Sequence, residues 1–329
     1  MRTRFVIARS RGLVAALAVV LIGATAAAAD AAPRWKFKPG ESLNYVLERN
    51  ADGQMKLAGN PIGIKMGMTF DTTWKCTAVA DDGAASLEQT VDRIQISMDS
   101  PLSGEIKFDS AAGAAPGGPL GAMLGPMING LLGQPIKLKV SPLGAVSDIE
   151  LPAKLQEEFA KQNEVGQNRR AGMGIGGNAF SEDAIKKLVE QAMLPLPETA
   201  EAGTTWTQAF ENELPMLGTE LAETTFSLGP EETVDGKKLL KIEAKTELLF
   251  EPAEDARMEM EIIEQASSAT AYFDTEAGHL VKSEGTQKAV KELSGQQEIS
   301  QDITETFKMY LGKSPAPVEA KTEEKPAAK

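Results

Sequence analysis

The chain has few of the residues from which catalytic and metal sites are usually built. Its 329 residues include one histidine, His279, and one cysteine, Cys76. A serine or cysteine nucleophile usually needs a histidine base, and His279 directly follows a turn sequence, where we expect a structural role. No group of histidine, cysteine and carboxylate residues has the spacing of a zinc, iron or calcium site. We therefore predict no catalytic residue, no metal and no cofactor.

Basic and aromatic residues are also scarce. Acidic residues outnumber basic ones by 47 to 34, so the formal net charge is -13, and the chain should repel phosphate backbones and anionic head groups. This argues against nucleic-acid binding and electrostatic membrane binding. Aromatic residues make up only 5% of the chain, too few for the platforms of a sugar-binding cleft. One cysteine permits no internal disulfide, so core burial must hold the fold together.

The main apolar run stands at the N-terminus and has the order of a secretory signal. Four arginines precede the apolar residues 13–22, and an alanine tract follows as far as Asp30. The run falls short of the roughly 20 strongly apolar residues of a spanning helix. We predict a cleavable signal peptide over residues 1–29, cut as late as 31, with an uncleaved anchor as the alternative. No cysteine stands at the cut, so we expect a soluble, periplasmic or extracellular protein without a lipid anchor.

The rest of the chain is dominated by strand patterns. Apolar and polar residues alternate from Ile62 to Ala78, which predicts one long, half-buried strand. A change of phase near Asp92 and Arg93 indicates a β-bulge in the following strand. The same alternation predicts further strands at residues 42–48, 136–140, 240–250, 258–262, 269–273, 280 onward and 299–309.

Three helical segments interrupt the strands. Apolar residues at helical spacing predict a helix over 119–132, weakened or broken at Gly125-Pro126. A second helix should begin at Pro152 and bury Leu155 and Phe159. A third should be capped by Ser181 and turn these residues inward: Ile185, Leu188, Val189 and Ala192.

Both halves of the chain follow the same order of elements, which suggests an ancient duplication. We predict a mainly β, antiparallel fold in which two pseudo-repeats form a curved sheet or half-barrel with short covering helices. A two-sheet β-sandwich is the alternative. The predicted parts after the signal peptide are a first β-rich pseudo-repeat at 33–150, a helical connector with a glycine-rich loop at 151–200, a second pseudo-repeat at 201–312 and a disordered tail at 313–329.

Methionine is unusually frequent on the predicted inner faces, and the chain has 13 in all. Flexible thioethers fill irregular cores or adapt to variable apolar ligands, so both core packing and a ligand cavity remain open. In the second case the 119–132 segment is a lid over the sheet. The candidate ligand-binding residues are then Met66, Met68, Phe70, Trp74, Leu120, Met123, Leu124, Met127 and Leu131.

Four stretches of the sequence carry a family resemblance. They are LGAMLGPMINGLLGQPIKLKVSPLGAVSDIELP, FSEDAIKKLVEQAMLPLPE, GTTWTQ and AYFDTEAGHLVKSEGTQKAV. With them the chain, from about Trp35 to Leu311, resembles an uncharacterised domain-of-unknown-function family of exported proteins common in planctomycete bacteria. The resemblance implies a secreted or periplasmic setting and an antiparallel, duplicated fold. It implies no activity and no site residue.

Three functions fit these observations. The first is a non-catalytic binding or carrier protein for an apolar small molecule, a lipid or a partner segment. The second is a structural or protein-interaction module of the cell envelope. The third is a hydrolase using surface carboxylates, which requires Glu259 and Glu261 to converge in a cleft.

Overall fold

The computed structural model describes residues 32–57, 59–101, 104–112, 124–125, 128–166, 182–214, 217–254, 256, 258–295 and 298–314. These residues belong to one compact unit, Ala32–Lys329. The predicted signal peptide and the predicted tail beyond Ser314 lie outside the described residues. The domain ranges proposed from the sequence therefore stay a prediction.

Twelve strands account for most of the described chain, more than the alternating sequence predicts. Their bounds are β1 Ser42–Leu57, β2 Asn60–Val79, β3 Ala85–Ser100, β4 Gly104–Asp109, β5 Pro135–Val140, β6 Val146–Glu150, β7 Thr205–Leu214, β8 Gly218–Val234, β9 Lys237–Pro252, β10 Glu259–Asp274, β11 His279–Ser294 and β12 Ile299–Leu311. Two helices lie between β6 and β7, α1 Ala153–Gly166 and α2 Glu182–Gln191.

All twelve strands join one antiparallel sheet. Its order is β6-β5-β3-β2-β1-β12-β11-β10-β9-β8-β7, and β4 pairs with β3 beside β5. The first and last strands of the chain meet at the centre, where Tyr45 pairs with Leu311 and Leu57 with Ile299. The sheet is open and curved, which confirms the predicted curved antiparallel fold and excludes the two-sheet sandwich.

Strand lengths and irregularities refine the sequence prediction. The first strand was expected to end at Glu48 but continues to Leu57, because it forms one long hairpin with β2 in which Leu57 pairs with Asn60. The predicted β-bulge is confirmed, since Asp71 pairs with Arg93 and Thr72 with Val91, which leaves Asp92 unpaired with β2. A bulge of this kind increases the local bend of a strand.

One face of the sheet carries the core, and we call it the inner face. Directly paired residues share a face, so the row Trp206, Phe226, Ala244, Ala269, Gly285, Phe307, Arg49, Met68, Ile96 and Phe108 traces it across the sheet. Both helices bury their apolar side chains in this core. We call the opposite face the outer face.

The helices follow the predicted pattern with one exception. Leu155 and Phe159 of α1 are buried, as are Ile185 and Val189 of α2. Leu188 was expected to face inward but is 41% exposed, and α2 contacts the core through Ile185 and Val189 instead. The predicted N-cap of α2, Ser181, lies outside the described residues.

Candidate ligand-binding face

The main core covers only part of the inner face. Tyr45 and Trp74 lie at the covered end, with 0% and 3% exposure, and Trp74 contacts the Tyr45 ring at a centroid distance of 4.6 Å. Trp35 adds an edge-on contact to Phe273 at 5.3 Å. Towards the β1–β2 turn the same face continues without a covering helix among the described residues.

Beyond the core lies a group of half-buried apolar side chains that we call the open apolar face. Pairing places these side chains together, since Met55 lies opposite Ile62, Met66 opposite Met98, and Gly53 between Ile64 and Ile303. Its members are Met55, Ile62, Ile64, Met66, Met98 and Ile303. They come from four neighbouring strands, so a ligand there would contact a continuous surface.

Two ion pairs border the open apolar face. Arg49 approaches Glu305 at 3.6 Å, and Lys291 pairs with Glu220. Register places all four residues on the inner face, with Lys291 opposite Gln301 and Gln301 opposite Met55. An apolar centre beside charged groups is the usual arrangement of a site that holds and orients a ligand.

The Lys291–Glu220 pair also shows how strongly the sheet bends. Lys291 lies on β11 and Glu220 on β8, with β10 and β9 between them. In a flat sheet three steps of about 4.8 Å would separate these strands, and side chains would stand perpendicular to the surface. The charged groups of Lys291 and Glu220 meet because the sheet folds towards its inner face between β11 and β8.

The predicted ligand-binding residues on β2 divide between core and open face. Trp74 is buried, and Met68 and Phe70 pack half-buried against the main core. Met66 alone among them belongs to the open apolar face. The sequence did not predict the other five members as ligand-binding residues: Met55, Ile62, Ile64, Met98 and Ile303. The alternation of Ala51, Gly53 and Met55 with polar residues was a usable signal for Met55.

The described part of the predicted lid packs as core. Leu124, Ile128 and Leu131 have 3%, 3% and 7% exposure. A Cβ on Gly130 would lie 2.8 Å from the Leu155 Cα, so this segment fits tightly against α1. The remaining predicted lid residues, Leu120, Met123 and Met127, lie outside the described residues.

Grooves on the outer face are polar. One of about 460 Å³ crosses β10, β11, β12 and β1 and is lined by Glu48, Ser268, Thr270, Glu284, Thr306 and Lys308 among others. Another of about 740 Å³ lies near the β1–β2 turn, beside Asp52, Asp99 and Asp302. Among the described residues no group of three or more His, Cys, Asp or Glu could hold a metal ion.

The titratable residues considered for catalysis do not converge. Glu259 and Glu261 are exposed, and neither lines one of the two described grooves. The hydrolase hypothesis required these carboxylates to meet in a cleft, so it loses its geometric basis. His279 is half-buried, and burial lowers its pKa. The indole nitrogens of Trp74 and Trp206 are buried without a hydrogen-bond partner.

The fold and the face together define a class: a single-sheet antiparallel protein whose apolar face is covered at one end by the described residues. The chain belongs to a family of unknown function, DUF6263, whose model matches residues 82–280. This agrees with the uncharacterised family that the sequence resembles. None of the curated proteins compared with the chain matches it.

Solved structures give distant similarities. A lipovitellin structure concerned with lipid–protein interactions shares 13% identity at a TM-score of 0.43, covering 87% of this chain and 27% of the other. This chain thus spans about a quarter of that lipovitellin chain. DynF of the dynemicin pathway of Micromonospora chersina shares 8% identity with this chain at a TM-score of 0.22, and the match covers 86% of each chain. The COG4313 outer membrane channel of Pseudomonas putida F1 shares 8% identity at a TM-score of 0.26. This match covers 86% of this chain and 98% of the channel chain.

Proposed function

We propose that this protein is a non-catalytic binding or carrier protein that holds an apolar ligand or partner segment on the open apolar face. The observation that carries the proposal is the half-burial of six large apolar side chains on one continuous surface. Contiguous apolar surface of this kind is costly to leave in water and commonly marks a ligand or interaction site. The ion pairs beside it would orient an amphiphilic ligand.

The N-terminal sequence supports a location outside the cytoplasm. Its arginines, apolar run and alanine tract have the composition of a secretory signal. An exported carrier would meet lipids and other apolar molecules in the envelope. Among the described residues no helix is long and apolar enough to cross a membrane.

Binding of a neutral apolar dye, N-phenyl-1-naphthylamine, tests the proposed site. Fluorescence titration should show saturable binding to the wild-type protein. Ile64→Lys places a charge on the open apolar face and removes most of the contact made by the isoleucine, so it should weaken binding by about tenfold or more.

The matched control is Thr207→Lys, which adds the same charge at an exposed position on the outer face of β7. It should leave dye affinity unchanged, and urea unfolding should confirm that both variants remain folded. Equal affinity in Ile64→Lys and wild type would place the dye elsewhere and contradict the proposal. In a separate experiment, native mass spectrometry of the protein purified from its own envelope would identify the natural ligand.

A structural or protein-interaction module is the second candidate function. It rests on a different observation, the exposed Leu249 and Ile263 on β9 and β10, with 44% and 50% exposure.

A further inference from the structure

The ladder between β9 and β10 is incomplete. The two strands pair only over residues 240–244 and 269–273, although β9 continues to Pro252 and β10 begins at Glu259. Each strand keeps its other neighbour, because Pro252 still pairs with Gly218 of β8 and Glu259 with Ser294 of β11. Residues 245–252 and 259–268 therefore form two facing strand edges inside the sheet, and we call the space between them the seam.

Side-chain groups replace part of the missing ladder. The Leu248 amide donates to Gln265 Oε1 at 2.7 Å, and Gln265 Nε2 donates to the Leu248 carbonyl at 3.0 Å. The Thr246 amide donates to Ser267 Oγ at 3.1 Å. A carboxamide offers the same donor and acceptor as a peptide group, so Gln265 satisfies the β9 edge as a neighbouring strand would.

The outer side of the seam combines apolar and acidic side chains. Leu249 on β9 and Ile263 on β10 are two of the large hydrophobic residues that the described chain leaves exposed. Ile263 lies in a register shift between Ile262 and Glu264, which leaves it out of the ladder with β11. Exposed carboxylates accompany them on the same two strands: Glu247, Glu251, Glu259 and Glu261.

We propose that the seam binds an extended, cationic peptide strand with alternating apolar residues, supplied by a partner protein. The strand pairs with residues 245–252 of β9, and its peptide groups take the place of the Gln265 carboxamide. Unpaired strand edges bind extended peptides through main-chain hydrogen bonds, while neighbouring side chains select the sequence. Leu249 and Ile263 receive apolar side chains, and the surrounding glutamates select lysine or arginine.

Titration of the purified full chain with a labelled peptide of about ten alternating lysine and valine residues tests the proposal. Fluorescence anisotropy should show saturable binding. The same peptide with alternate backbone amides N-methylated keeps its charge but cannot pair along its edge, so it should bind at least about tenfold more weakly. Equal affinity for the two peptides would show that surface charge alone accounts for the binding. This result would overturn the proposed strand addition.

Substitutions and hydrogen exchange locate the binding. Glu247→Lys combined with Glu261→Lys should weaken the unmethylated peptide by about tenfold or more, whereas Glu157→Lys, an exposed control on α1, should not. Peptide binding should slow amide exchange within residues 245–252. Protection confined to other strands, absence of binding, or self-association of the chain through the seam without peptide would each overturn the proposal. These outcomes are independent of dye binding to the open apolar face.

Discussion

Arg93 is a charged side chain buried on the outer face of the sheet. Its Nε and Nη2 donate to the two carboxylate oxygens of Asp109 at 2.9 and 2.5 Å, and the side chain is 10% exposed. Its Nη1 donates to Ser314 Oγ at 3.1 Å, and Ser314 in turn donates to Asp71. One guanidinium therefore joins β3 to β4 and to the chain that follows β12.

The Arg93–Asp109 pair should make stability depend on pH. The hydrogen bond from Arg93 lowers the pKa of Asp109 below its ordinary value of 3.8. Such a carboxyl stabilises the fold above its unfolded pKa and loses that contribution as pH falls through the folded value. Asp109→Asn should therefore lower the free energy of unfolding by about 2 kcal/mol at pH 7, and this difference should shrink below about pH 4.

Urea unfolding from pH 7 to pH 2 measures this difference. The matched control is Glu305→Gln, which removes an exposed pair with Arg49 at 3.6 Å and should cost about 0–1 kcal/mol. If the difference in the free energy of unfolding between wild type and Asp109→Asn stayed constant down to pH 2, the pH dependence could not be assigned to the Arg93–Asp109 pair.

The turn between β5 and β6 contacts the helical connector, residues 151–200. Gly144 in this turn has φ +85°, a conformation that strains other residues. The connector lies against it, since Trp35 Nε1 donates to the Leu194 carbonyl at 2.9 Å and the Leu196 amide donates to the Leu143 carbonyl at 2.8 Å. A Cβ on Gly144 would overlap the Leu194 carbonyl oxygen.

Gly144→Ala should therefore lower the free energy of unfolding by about 3 kcal/mol, from backbone strain and overpacking together. Gly203→Ala is the matched control, because Gly203 has φ +84° but no atom within 4 Å of an added Cβ. It should cost only the backbone strain, about 1 kcal/mol. Urea unfolding compares the two, and equal losses would show that the connector is not tightly held at this turn.

The whole sheet depends on the central pair of its first and last strands. β12 pairs with β1 from Leu311 to Ile299 and with β11 from Tyr310 to Ile299. It is the bridge between strands β1–β6 and strands β7–β11 in the sheet order. Its loss would expose two long strand edges and remove Met309, a core residue that is 6% exposed.

Two truncations test this dependence. A chain ending at Ser314 keeps β12 and the contacts of Ser314 with Asp71 and Arg93, so its thermal midpoint should equal that of the full chain. A chain ending at Glu298 should show no cooperative transition, because both halves of the sheet lose their shared strand. Calorimetry distinguishes the two, and cooperative unfolding of the shorter chain would mean that the halves fold independently.

The sequence by itself determined most of the strands, the two helices, the bulge at Asp92 and the antiparallel class, but it did not predict β4, β6 or β8. These features depend on residues close together in the chain: alternation from Ile62 to Ala78, helical spacing around Leu155, and turn residues such as Gly144. The methionine pattern also indicated which face is apolar. The export signal is a sequence pattern as well, and it stays a prediction.

Only the tertiary structure decided how far that apolar face is covered. Residues distant in sequence meet there, such as Gly53 with Ile303 and Lys291 with Glu220. Local patterns carry no information on such pairings. For the same reason Trp74 is part of the core, whereas Met66 on the same strand face is only half-buried. The break between β9 and β10 was not predicted either, because the pairing of two strands depends on their separation in space and not on local patterns.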